Sequence, residues 1–133
     1  MRPDEEILKT ADFNVDGNII TLVYYTNLPD HPENIRLSEI FLAKFLETLK
    51  QNQAQKFRLF VDLTLLGNVG TMPSKSRQNY AKMSKEKQLE RLAVAGGNMA
   101  LRTIASFIMK LSGLEKKYQW FNTKEEALAW LKS

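Results

Sequence analysis

Residues 89–113 read LERLAVAGGNMALRTIASFIMKLSG, and the change of pattern inside them decides the fold. Leu89 to Ala95 is a short apolar run of the kind found in strands covered by other elements. After Gly96-Gly97 the period changes. Leu101, Ile104, Ala105, Ile108 and Leu111 recur at three- and four-residue spacing, which puts them on the inner face of a helix. Phe107 and Met109 widen the apolar surface beyond that face. Asn98 is placed to cap a helix from Met99 to Ser112, and Gly113 to end it. A strand that turns through glycine into an apolar helix is half of a β-α unit.

The flanking sequence supplies the other units. Upstream, Ser74 to Glu86 reads as a helix whose apolar members are only Tyr80, Ala81 and Met83, so its outer surface is wet and basic. It follows a loop, Thr64 to Pro73, that contains Gly67, Asn68 and Gly70. Lys56 to Leu63 alternates, sending Phe57, Leu59, Val61 and Leu63 to one face of a strand and Arg58, Phe60 and Asp62 to the other. Arg36 to Gln51 carries Leu37, Phe41, Leu42, Phe45, Leu46 and Leu49 on one helical face. Asn27 to Asn34, with Pro29 and Pro32, reads as a loop.

Nearer the start, Asp16-Gly17 is a tight-turn signal joining a strand that ends near Phe13 to the run Ile19 to Tyr25. Downstream, Lys117 to Phe121 is a last strand. Thr123 and Glu126 match a capping box ahead of a helix that turns Ala127, Leu128, Trp130 and Leu131 inward.

The resulting order, β-β-α-β-α-β-α-β-α, predicts an α/β domain with a mixed, mainly parallel sheet of about five strands, four helices and right-handed crossovers. If the strands lie in sequence order, the crossover helices crowd one face. Phe60, Ala93, Ala95 and Phe121 on the other face then need cover from the N-terminal segment or from a second copy in a homodimer.

With 133 residues the chain fits a single domain, 1–133. Its 44% hydrophobic and 26% charged residues exclude a largely disordered polymer. The absence of cysteine removes disulfides, thiolate nucleophiles and thiolate metal sites. No apolar h-region follows the start and no apolar tract reaches membrane-spanning length, so a cytoplasmic protein is expected. From Lys75 to Arg91 six cations (Lys75, Arg77, Lys82, Lys85, Lys87 and Arg91) face two acids, which accounts for the whole formal charge of +4.

The hairpin at Asp16-Gly17-Asn18, the strand Leu59-Phe60-Val61-Asp62-Leu63, the turn Leu92 to Gly97 and the closing Phe121 to Leu131 together resemble the SpoIIAA-like proteins, also called STAS/SEC14-type domains. The resemblance spans about residues 12 to 131. It implies a β-α superhelix and a regulatory or binding role instead of catalysis. In anti-sigma-factor antagonists of this fold a Ser or Thr at the start of the second helix is phosphorylated. The matching region here, Gly70-Thr71-Met72-Pro73-Ser74-Lys75-Ser76, lacks their Asp-Ser-Ser/Thr-Gly pattern. The SEC14-like side of the family implies lipid or apolar-ligand binding, although the extra helices of a full lipid-transfer domain are missing.

In open parallel sheets ligands bind outside the carboxyl ends of the strands. That rule gathers Asp62, Thr64, Asn68, Thr71, Ser74, Gly96, Gly97, Asn98 and Arg102 on one edge as candidate ligand or partner contacts. Each has a plainer reading. Gly-Gly-Asn is neither a dinucleotide fingerprint nor a P-loop and serves as turn and cap. Asp62 ties down its own loop, and Ser74 caps a helix. Lys75, Arg77, Lys82 and Lys85 form a candidate basic surface for an acidic protein partner, or simply a solvated helix face. No specific nucleic-acid motif, metal cluster, cofactor site or catalytic constellation is present, and His31 stands alone beside prolines. The expected function is a non-enzymatic regulatory or protein-interaction domain resembling anti-sigma-factor antagonists, docking a partner at the edge formed by the loop Thr64 to Pro73 and its basic helix, with a small apolar-ligand or lipid-binding module as the alternative. The latter requires a pocket of several hundred cubic ångströms beside the helix that starts at Met99.

Overall fold

The chain folds on one five-stranded sheet whose strands lie in sequence order. The computed structural model describes residues 1–66 and 72–133. The first strands, β1 (Ala11–Asp16) and β2 (Ile19–Tyr24), form an antiparallel hairpin that pairs Asp16 with Ile19. The turn between them needs the positive φ of 61° that Gly17 supplies. Next, β3 (Phe57–Leu63), β4 (Leu89–Gly96) and β5 (Tyr118–Phe121) each pair in parallel with the strand before. Helices α2 (His31–Gln51), α3 (Ser74–Ser84) and α4 (Met99–Leu111) provide the crossovers. All three crossovers step the same way, so their helices share one face, as the expected topology requires.

Alternation along the strands makes two cores. Leu59, Leu92 and Val94 face α2, α3 and α4, where Phe41 and Phe45 are wholly buried. Phe60, Ala93 and Ala95 face the other way. That second face is covered by the last helix, α5 (Lys124–Leu131), which buries Ala127 and Leu131 against it. The sequence-based expectation named the N-terminal segment or a second copy as the cover, and neither is needed. The handedness rule constrains a helix only when a parallel strand follows it; no strand follows α5, so it is free to cross to the open face.

Arginines from the sheet hold α5 in place. Arg58 Nη1 donates to the carbonyls of Leu131 and Ser133, and Arg91 Nη1 donates to Trp130 O at 2.7 Å. The Arg91 guanidinium also sits 5.0 Å from the centre of the Trp130 ring. Cations at a helix C-terminus satisfy its free carbonyls and complement its dipole.

Some details differ from the sequence reading. A short N-terminal helix, α1 (Asp4–Ile7), seats Ile7 in the main core. The second helix begins five residues earlier than expected, because Asp30 accepts from Glu33 N at 3.0 Å and Pro32 fits the first turn. Leu111, expected on the inner stripe, is 72% exposed, while Met109 is buried. The inward arc of α4 centres on Leu101, Ala105 and Ile108, and Leu111 lies at its rim in the last turn.

The capping box at α5 forms in part. Thr123 Oγ1 accepts from Glu126 N at 3.2 Å, as expected, whereas the Glu126 carboxylate accepts from the Thr123 hydroxyl at 2.9 Å.

Candidate ligand-binding site

The main core is not filled. Between β3, β4 and β5 on one side and α3 and α4 on the other lies a cavity of about 430 Å³. Its floor is Leu59, Val61, Leu92, Val94 and Trp120, and its roof includes Tyr80, Met83, Leu101, Ile104 and Ile108. The sequence explains why space remains. Only Tyr80, Ala81 and Met83 are apolar within α3, and α4 turns the small side chain of Ala105 inward. Two helices so composed cannot reach the sheet across the whole of their length. The volume falls in the range of ordinary small-molecule sites, roughly 300–1,000 Å³.

A few polar groups interrupt the apolar wall. Tyr24 Oη and Tyr80 Oη share a hydrogen bond of 2.6 Å across the cavity edge, joining β2 to α3. Burial pushes the Tyr80 hydroxyl up to about 12, and burial together with its Tyr80 neighbour raises Tyr24 well above the usual phenol range, so both are neutral phenols at ordinary pH. Tyr118 also lines the cavity, and its buried Oη lies near Ser106 of α4. Arg77 is the charged member of the lining, and no carboxylate belongs to it among the described residues. Behind the wall, Asn79 Nδ2 donates to Ser38 Oγ at 2.9 Å and Ser76 Oγ donates to Asn34 Oδ1 at 2.6 Å, fastening α3 to α2.

The edge named from the sequence assembles beside this cavity, but its members are largely engaged with each other. Asp62 is 3% exposed, and its Oδ1 accepts from both Thr64 N at 2.9 Å and Thr64 Oγ1 at 2.6 Å. It therefore ties down its own turn. Gly96, at φ 83°, lies so close to that turn that a Cβ would come within 2.7 Å of Thr64 Cα. Gly97, at φ 78°, packs beneath Trp120 and Leu101. Asn98 Oδ1 accepts from Leu101 N at 2.9 Å and caps α4 as expected. Arg102 is exposed, with its guanidinium 5.9 Å from the centre of the Trp120 ring.

Asn68 and Thr71 lie outside the described residues. Ser74 does not cap its helix: Pro73 takes that position, and Ser74 is exposed with its hydroxyl 3.4 Å from Gln78 Nε2.

The structural role of Asp62 has a direct consequence. Asp62→Ala should lower stability by about 2 kcal/mol, since it removes two hydrogen bonds and strands a backbone N–H. Urea denaturation would show the loss. Ligand affinity of the folded variant should not change, and a change would return Asp62 to the list of contacts.

A family model described as SpoIIAA-like matches residues 33–132, most of the chain. The chain belongs to the SpoIIAA-like family. No curated protein and no solved structure matches it.

Membership of the SpoIIAA-like family fits the mainly parallel sheet and fits a regulatory or binding domain. No described helix of this SpoIIAA-like chain is long and apolar enough to cross a membrane. Among the described residues no three His, Cys, Asp or Glu side chains are grouped as metal ligands would be. The residues that sequence reasoning missed are the three cavity tyrosines. Their signal was faint: each stands at an inward position of a strand or helix, where a phenol needs a partner.

The basic surface divides in two. Lys75, Lys82 and Lys85 are exposed, Arg77 is half-buried, and none of the four forms an ion pair among the described residues. Arg91, from the same run, instead belongs to the attachment of α5.

Proposed function

We propose that this SpoIIAA-like domain is a non-enzymatic binding module that takes a small apolar molecule into the cavity between its sheet and helices α3 and α4. The observation that carries this reading is the apolar volume of about 430 Å³ inside the main core. A void of that size forfeits dispersion contacts along its whole lining, and an apolar guest restores them. Its methionines provide a probe. Met72, Met83 and Met109 line the cavity, while Met1 and Met99 are exposed elsewhere.

Titration of protein carrying ¹³C-methyl methionine with toluene should therefore move the three lining methyl signals and leave the other two in place. Equal movement of all five, or of none, would remove the reading.

A second reading is favoured by the cations of α3. Lys75 and Lys82 on α3 and Lys85 just after it are exposed and form no ion pair among the described residues, which suits an acidic protein surface that they would steer and orient. For an acidic partner recovered by pull-down, the double reversal Lys75→Glu and Lys82→Glu should slow association about tenfold at low salt, and the effect should shrink as salt is raised. Salt-independent association would argue against this surface.

A further inference from the structure

Helix α4 is apolar on its outside as well as its inside. Leu101, Ala105 and Ile108 face the cavity, yet Met99, Phe107 and Leu111 are 71%, 61% and 72% exposed. Met99, Thr103, Phe107 and Leu111 follow one another at four-residue spacing and so form one row along the outward face. Large apolar side chains scattered singly over a surface need no explanation, but a row of them on one helix marks a contact.

The charges around the row indicate what covers it. Arg102 and Lys110 are exposed on α4, and Lys75 and Lys82 are exposed on α3, which packs beside it. Neither helix contains an Asp or Glu, and Arg102 and Lys110 form no ion pair among the described residues. A second copy seated symmetrically here would set cations against cations, which disfavours a dimer on this face. The row also stands on the convex side of a single helix, so its occupant must yield around projecting side chains. The headgroup region of a bilayer does so, and helices with an apolar face flanked by Lys and Arg lie in it. Lys110 shares the outward face, where its stem can be buried while its ammonium reaches back to the phosphates.

We propose that the outer face of α4 docks on an anionic bilayer surface, with Met99, Phe107 and Leu111 entering the interface and Arg102 and Lys110 meeting its phosphates. The proposal concerns the outside of α4 and is independent of what the cavity beneath it holds.

Flotation of the full chain with vesicles is the test. Vesicles of phosphatidylcholine and phosphatidylglycerol in equal parts should carry the protein at low salt, and vesicles of phosphatidylcholine alone should carry much less. Phe107→Ser combined with Leu111→Ser should weaken binding to the mixed vesicles about tenfold. Lys110→Gln should weaken it about fivefold and make it less sensitive to salt. Leu46→Ser, at an exposed leucine of α2, should leave it unchanged. Each of these side chains is exposed, so the unfolding temperatures should match that of the unaltered chain.

The unaltered chain gives a second readout. In anionic bicelles, a lipid spin-labelled at its headgroup should broaden the methyl signal of Met99 well beyond that of Met1, which is as exposed but belongs to the N-terminal segment. Mixed vesicles that carry no more protein than phosphatidylcholine alone overturn the proposal and leave the face to a protein partner. Binding that survives the loss of Phe107 and Leu111, or broadening of Met1 as strong as that of Met99, overturns it as well.

Discussion

Filling the cavity from above with Ala105→Phe should weaken binding of toluene by about a hundredfold, a loss near 2.7 kcal/mol. Ala105 lines the cavity from the middle of α4, flanked by Leu101 and Ile108 on the same inward arc. A phenyl ring there takes up volume that a guest would otherwise occupy. In a closely packed core the same substitution would force side chains off their rotamers and cost about 1–3 kcal/mol. Here the ring enters empty space and gains apolar burial, so the unfolding temperature should be unchanged or higher. Loss of binding with retained stability is the combination that an adventitious surface site would not give. Calorimetry and thermal unfolding on one preparation measure both, and a destabilised variant that still binds would contradict the cavity.

Gly96→Ala should be the most damaging small substitution in the chain, at about 3 kcal/mol. Two costs coincide at this residue. Its φ of 83° is a conformation that side chains rarely adopt, and a Cβ would stand 2.7 Å from backbone atoms of Thr64. Backbone cannot step aside as a flexible side chain can, so the Asp62–Thr64 turn must move and its hydrogen bonds with it. Gly113 is the control: its φ is 71°, yet nothing lies within 4 Å of the added Cβ. Gly113→Ala carries the conformational cost alone, about 1 kcal/mol. The difference between the two variants in urea unfolding isolates the close approach of the two loops. Equal losses would show that conformation accounts for everything.

Much of the fold could be read because its information is local. The Asp16-Gly17 turn, the alternation around Phe60, the Asn98 cap and the capping residue Thr123 each announce themselves within a few residues. Their order then implies a parallel sheet through the handedness of its crossovers. The position of α5 was not legible for the corresponding reason, since no following strand fixes the face it takes.

The cavity was legible only as a requirement. Packing failure is a property of facing surfaces, and the sequence shows Ala105 and the sparse apolar content of α3 without showing that they oppose each other. Tyr24 and Tyr80 meet from positions 56 apart in sequence, and nothing near either residue indicates the other. The sheet edge around Asp62 and Gly96 shows the converse: position at strand ends was read correctly, while its atoms turn out to be bonded to one another.

The two helices over the cavity are attached very differently. Tyr80, Asn79 and Ser76 bolt α3 to β2 and α2 through three side-chain hydrogen bonds of 2.6–2.9 Å. Helix α4 meets the sheet through the apolar packing of Leu101 and Met109, a guanidinium beside Trp120, and Ser106 near Tyr118. Directional bonds in apolar surroundings break reluctantly, whereas dispersion yields gradually with separation. The two sides of the roof are thus held unequally: directional bonds fix α3 and the charged face it turns outward, while α4 lies on the sheet chiefly by apolar contact.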